Sequence, residues 1–438
     1  MINNQRKIIV SGLLIFSLFM IMSLANAADI TIDSATNFKE NITSANSGDT
    51  IILKSGMEYS LNSANVDITI DKNIKIKSSN PSKNAVINLN RHGRLFYVLH
   101  GDKSRDVKEG RLTLINITIK NSKDGAINNG GTLILTGCTF INNKAGGGAA
   151  VYNDGGKATL TGCTFTNNIA TSKLEGGGAI YNAGRLTLIA CTFTNNKANC
   201  HGGAIYNAFT TQTVTITAKD CTFINNKATG DGGAISGWGS FTTCTFINNK
   251  AGAGGAIANL EKAVILKGCT FSNNQARIYG GAIYSDKYNP YGCRLDIVRT
   301  TFKNNIVTRK NIYNAIYTIG TKVSKSGVKI IPRDGTRIKE PDLTITKVTK
   351  KGNYRYVFVK NIGNSGAGKN TLGVYIGNTL IKTVTVNAIA TGKTLRVTVS
   401  IPKKYATKAY NNQFKTFKVD IRNVVREINE NNNSFKAK

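Results

Sequence analysis

Acidic residues and histidine are scarce in this 438-residue chain: 24 Asp and Glu stand against 57 Lys and Arg, with three His. A metal-centred or His-based enzyme needs several such groups brought together, so neither is expected. No Cys-x-x-Cys pair occurs, and the common zinc spacing is therefore missing. Beyond the first 28 residues no apolar run reaches the length of a bilayer span, so no stable membrane span is expected there. The last 98 residues contain no Cys, which excludes a disulfide-bracketed antibody-type domain.

What is present is informative. Hydrophobic residues make up 41% of the chain, enough for a real core and against wholesale disorder. The length suits two or three domains. The net charge of +33 speaks about partners rather than fold. Residues 1–27 read as a signal peptide: Arg6 and Lys7, an apolar run from Ile8 to Leu24, then Ala25-Asn26-Ala27 with small residues before a cleavage point at Ala28. A secreted or cell-surface location follows from that reading.

Internal repetition dominates the middle of the chain. A Cys-Thr-Phe-x-Asn-Asn block starts at Cys138, Cys163, Cys191, Cys221, Cys244 and Cys269, and fades to Thr300-Thr301-Phe302 and Ile117-Thr118-Ile119 at its ends, with steps of 21 to 31 residues. Gly-Gly-Ala-Ile-Tyr-Asn keeps step with it at Gly177 and Gly202, and Leu-x-Leu precedes most of the Cys. Each unit thus holds three short segments of period two, separated by Gly or Asn that suit tight corners. One unit cannot bury its apolar face, whereas stacked units can, and corner insertions explain the irregular steps. Leucine-rich and propeller repeats need other patterns. The expected architecture is all-β: a right-handed three-sided parallel β-helix over 28–325 with an N-terminal cap, a linker at 326–340, and an Ig-like antiparallel β-sandwich over 341–438. In that last segment Leu343–Ile345, Tyr354–Val359, Leu372–Ile376, Val384–Val386, Leu395–Ile401 and Phe417–Val419 read as strands.

These repeats resemble those of adhesin-like proteins of methanogenic archaea, which are related to the polymorphic outer-membrane repeats of some bacteria. The C-terminal segment resembles the CARDB domain through Pro341-Asp342-Leu343, Asn361-Ile362-Gly363 and a close running from Val419-Asp420 through Asn423, Val425 and Glu427 to Asn429-Glu430-Asn431-Asn432. The resemblance implies an exported, adhesin-like surface protein.

Candidate chemistry can be weighed residue by residue. Six Cys share one repeat position and read as an internal ladder of thiols acting as small hydrophobes; Cys200 and Cys293 lie off it. His201, beside Cys200, lacks nearby partners for zinc. The acids Asp124, Asp154, Glu175, Asp220, Asp231, Glu261, Asp286 and Asp296 fall at different repeat positions, so no carboxylate pair and no enzyme are expected. No cofactor or metal is expected either; Asp420, Glu427 and Glu430 read as turn chemistry more readily than as a Ca²⁺ site. Two outward columns remain. Tyr152, Tyr181 and Tyr206 either stack on sugar rings or stack on one another. Lys197, Lys227 and Lys250, preceded by Lys144, either hold a polyanion or splay as a solvated corner. The partner expected is an anionic polysaccharide, a cell-wall polymer or another cell's surface. Nucleic acid is not expected for an exported chain. The functional expectation is surface adhesion, with a carbohydrate-active enzyme or a structural wall component as alternatives.

Overall fold

The computed structural model describes residues 27–102, 104, 108–208, 214–260, 262–286, 293–308, 312–313, 315–319, 321–331, 343–363, 366–376, 379–402, 405, 415–419 and 434–437. The proposed signal peptide lies outside them, apart from Ala27. The chain divides into two compact units, Met1–Thr301 with Ile316–Lys329 and Phe302–Ala315 with Ile330–Lys438.

The first unit is a parallel β-helix. Its coils contribute to sheets of twelve, eleven and ten strands and to a narrow ladder of eight. The three wide sheets are the expected sides, and they carry the Leu-x-Leu, Cys-x-Phe and Ile-Tyr-Asn segments. The narrow ladder was anticipated only as a corner. It is built of strands as short as Lys144–Ala145, Ile169–Ala170, Lys197–Ala198 and Lys227–Ala228.

Period-two alternation explains the sides. Leu133 and Leu135 point inward, in register with Leu112 and Leu114 of the coil before and Ala158 and Leu160 of the coil after. On the next side Phe140, Phe165, Phe193, Phe223, Phe246 and Phe271 are fully buried. Their rings stack coil on coil at centroid separations of 5.1, 4.6, 4.9, 4.8 and 4.6 Å, within 6° of parallel. Each such ring removed from water is worth roughly 1.5–3 kcal/mol.

Asn-Asn does two different jobs. The first Asn of each pair (Asn142, Asn167, Asn195, Asn225, Asn248, Asn273) turns the corner at φ between 55° and 57°, a conformation Asn tolerates better than other side chains. The second (Asn143, Asn168, Asn196, Asn226, Asn249, Asn274) is fully buried. Each donates Nδ2–H to the Oδ1 of the next coil, 2.9–3.0 Å away from Asn143 through Asn249. It also donates to a carbonyl of the coil before, as Asn168 does to Phe140 O at 3.1 Å. A second internal amide ladder runs from Asn129 through Asn153 and Asn182 to Asn207, at 2.7, 2.7 and 2.6 Å. Buried amides are tolerated because stacking supplies their partners. At the Gly-Gly corner a Cβ on Gly178 would run into the Gly203 carbonyl oxygen, and Gly177 sits at φ 76°; both positions require glycine.

The entry coils show the same alternation without the Phe stack. They add a short α-helix, Phe38–Ser44, that the strand pattern did not indicate. Phe38 and Ile42 bury one face of it, with the Phe38 ring 5.8 Å from that of Tyr59. Tyr59 Oη donates to Ile32 O at 2.5 Å and accepts from Lys54 N at 2.8 Å. Asp49 ties down the first coil by accepting from Ala28 N and Asn46 N, both at 2.7 Å.

The second unit contains two antiparallel sheets around one apolar core. Leu343–Lys351, Tyr354–Asn361 and Thr394–Ser400 form one; Thr379–Val386, Asn370–Ile376, Lys415–Lys418 and Ser434–Ala437 form the other. All six stretches expected from the alternation are strands, and Ser434–Ala437 is a seventh. Leu343, Val357, Val359, Leu372, Val374, Val399 and Phe417 meet in the core. One strand, Lys329–Ile331, lies inside the segment read as a linker, and Lys322–Ser326 ends at its first residue. The remainder, 332–340, and the acidic turn with Asp420, Glu427 and Glu430 lie outside the described residues.

Candidate functional site

The inward position of each repeat leaves little chemistry available. Cys138, Cys163, Cys191, Cys221, Cys244 and Cys269 are at most 1% exposed, and all eight Cys are free thiols. The thiol of the preceding coil first, with burial adding to it, pushes Cys191 and Cys221 up to about 12. Enclosure keeps reactants from all six thiols, so the ladder is packing, as its repeat position suggested.

Among outward positions, Tyr152, Tyr181 and Tyr206 are direct neighbours in register and half-buried. The rings of Tyr152 and Tyr181 lie 4.3 Å apart and 5° from parallel. Tyr206 tilts by 44°, with its centroid 5.6 Å from that of Tyr181. Tyr152 and Tyr181 therefore spend a face on each other, and the column is in the first place a self-stacked ladder. Tyr152 Oη also donates to Glu175 Oε1 at 3.4 Å. Burial, then Tyr181 and Glu175, raise the Tyr152 hydroxyl above its usual range. The column is interrupted by Ser236 and Ala258 and resumes at Tyr284 and Tyr317.

The lysine column is real and exposed. Lys197 pairs directly with Lys227, and Lys227 with Lys250. Lys144 joins this row through Ile169, which stands 37% exposed in the intervening coil. No carboxylate pairs with these lysines in the ion pairs of the described residues.

No two of the acids share a corner position among the described residues, but one of them meets a histidine. Gly177 N donates to His201 O at 3.0 Å and Gly202 N to Asp231 O at 2.9 Å. His201 and Asp231 thus occupy one corner position in successive coils. Glu175 lies one residue before the equivalent position in the coil before. The Asp231 amide donates to His201 Nδ1 at 3.0 Å, and its carboxylate lies 3.7 Å from the same nitrogen. Burial raises the Asp231 carboxyl, with the His201 charge opposing it. His201 therefore has a close acidic neighbour, where the sequence reading expected it to lack nearby partners. Asp220 turns a corner at φ 55°, whereas Asp296 lies inside the strand Arg294–Val298 and pairs with Arg294 Nη2 at 2.5 Å. No group of three or more His, Cys, Asp or Glu among the described residues is arranged to hold a metal ion. No helix among them is long and apolar enough to cross a membrane.

Family models match three segments: a right-handed β-helix region over 103–271, a Chlamydia polymorphic membrane protein repeat over 268–286, and CARDB over 340–437. Among solved structures, a domain from Methanosarcina acetivorans is 23% identical, covering 22% of this chain and 89% of that one, with a TM-score of 0.21. The CARDB domain of a Pyrococcus furiosus protein, in complex with di-metal ions, is 28% identical over 23% of this chain and 89% of that one, with a TM-score of 0.18. The A-module of a mannuronan C-5 epimerase from Azotobacter vinelandii is 13% identical, covering 69% of this chain and all of that one, with a TM-score of 0.32. No curated protein matches. The chain carries a right-handed β-helix, a polymorphic-membrane-protein repeat and a CARDB domain, a combination of cell-surface type.

Proposed function

We propose that this is an exported, adhesin-like surface protein whose β-helix binds anionic glycans or cell-wall polymers without cleaving them. The observation that carries the reading is the in-register run of Lys197, Lys227 and Lys250. Like charges held opposite one another on neighbouring strands repel, and a polyanion laid along the column offsets that repulsion. Strand spacing repeats the same weak contact every ~4.8 Å, so affinity grows with the length of polymer engaged. The tyrosines contribute ring edges and hydroxyls beside the column rather than a set of open faces for sugars.

The test is to incubate the chain with anionic and neutral polysaccharides and follow protein and glycan by size exclusion. Co-elution with anionic glycan of unchanged length supports binding, and Lys197→Gln with Lys227→Gln and Lys250→Gln should weaken it and flatten its salt dependence. Shortened glycan would replace this reading with that of a carbohydrate-active enzyme. Absence of any co-elution would favour a structural wall component.

A further inference from the structure

The buried asparagine ladder ends at Ser122, and a cationic groove opens where it ends. Ser122 occupies the ladder position of its coil. Its carbonyl accepts from Lys144 N at 3.1 Å, as Asn143 O accepts from Ile169 N at 2.9 Å, and its amide donates to Asn143 Oδ1 at 3.0 Å. In the next coils an amide fills this position and reaches back to a carbonyl of the coil before, as Asn143 Nδ2 does to Ile119 O at 3.1 Å. The serine side chain is too short for that. Ser122 is 2% exposed and its hydroxyl has no hydrogen-bond partner, a costly state for a buried polar group.

A groove of about 570 Å³ lies over this point. Arg91, Lys123 and Lys144 line it together with neutral Asn residues, Ser122 and Ile169, and no carboxylate does. All three cations are exposed at their outer ends. Arg91 is presented from a corner at φ 65°, fixed by its amide donating to Asn121 O at 2.8 Å. Lys123 immediately precedes Lys144 in the same column, so the groove forms the N-terminal end of the lysine row.

We propose that this groove seats a single oxyanion, the carboxylate or sulfate group of an anionic glycan. It would anchor one end of a polymer that then runs along the lysine column. A guanidinium and two ammonium groups lining one groove without a carboxylate, over an unpartnered hydroxyl, suit an oxygen-rich anion. This rests on the binding role proposed above and adds a position to it.

The experiment uses short oligogalacturonate, short sulfated dextran oligomers and uncharged dextran, titrated against the full chain by calorimetry. Ser122→Asn would extend the ladder by one amide and remove the unpartnered hydroxyl beneath the groove, while Arg91→Asn keeps a residue that accepts positive φ. Each should weaken the short anionic ligands about tenfold, as expected when a charge-assisted contact is lost, with a cooperative melt at or above the temperature of the unaltered chain as the check on folding. Binding of the uronate or of the sulfated oligomer tells which oxyanion is held, and binding of neither short ligand by the unaltered chain overturns the groove. Unchanged short-ligand affinity in folded Ser122→Asn and Arg91→Asn would overturn it too. If long polymer still binds through Lys197, Lys227 and Lys250 in that case, the column reading survives alone. If no anionic glycan of any length binds, both fail.

Discussion

The lysine column stands four residues after the phenylalanine column, and stacking has opposite consequences for the two. Phe193 gains contacts from Phe165 and Phe223 at 4.6 and 4.9 Å. Lys197 gains a like charge from Lys227 in the same register. Parallel in-register pairing forces every residue type to meet its own kind, so it rewards apolar and amide side chains and penalises charged ones. The comparison separates positions that serve the fold from positions the fold tolerates, and it supports looking for a ligand on the second set.

The largest expected effect tests the inner column. Phe193→Ala should cost about 3–5 kcal/mol through the cavity left in a continuous stack, read as a lowered denaturant midpoint. A loss below 1 kcal/mol would mean that the neighbouring coils collapse onto each other. Asn196→Ala should cost about 2–3 kcal/mol, because Asn168 N and Nδ2 and the Phe165 carbonyl lose their buried partner. Cys191→Ser places a hydroxyl where a nearly apolar thiol packs and should cost about 1–2 kcal/mol; an unaltered melt would argue that the ladder is not tightly enclosed.

The outer column should respond in the opposite direction. Neutralising Lys197, Lys227 and Lys250 together should raise stability by about 0.5 kcal/mol at low salt, and the gain should shrink as salt screens the repulsion. A loss instead would show that the lysine stems pack on the corner. The smallest effect concerns Asp231. Its carboxyl is raised in the folded state, so the folded chain holds that proton more tightly than the unfolded one. Its ionisation therefore lowers stability as pH rises through the carboxylate range. Asp231→Asn should flatten that decline, seen as a smaller difference in melting temperature between acid and neutral pH.

Much of this was legible in the sequence because period-two alternation and turn chemistry are local. Leu133, Leu135, Cys138 and Phe140 declare their inward side by spacing alone, and Asn142 declares its corner. Asn143 does not, because its burial depends on partners about 25 residues away in the coils above and below. His201 and Asp231 are a different case. Both stand ten residues after the Cys of their coil and directly before a Gly-Gly, so their coincidence is written in the spacing; it joins a histidine to an acid, and a search for paired carboxylates passes over it. The tyrosine column was visible as a column, but whether its rings face sugars or each other depends on a side-chain tilt that no spacing encodes. Nothing in the spacing singles out Ser122; its position gains a meaning only beside the amide ladder.

The asparagine ladder also makes the length of this β-helix a matter of whole numbers. From Phe140 to Phe271 each coil hands the next the same buried amide and ring, so excising residues 191–220 would bring Asn168 against Asn226 and Phe165 against Phe223 with like partners restored. An excision of half that size would leave both ends mismatched. Chains of this kind can lengthen or shorten by unequal exchange between their own repeats, provided the exchange respects the coil, and reach becomes a trait adjusted in steps of one strand spacing.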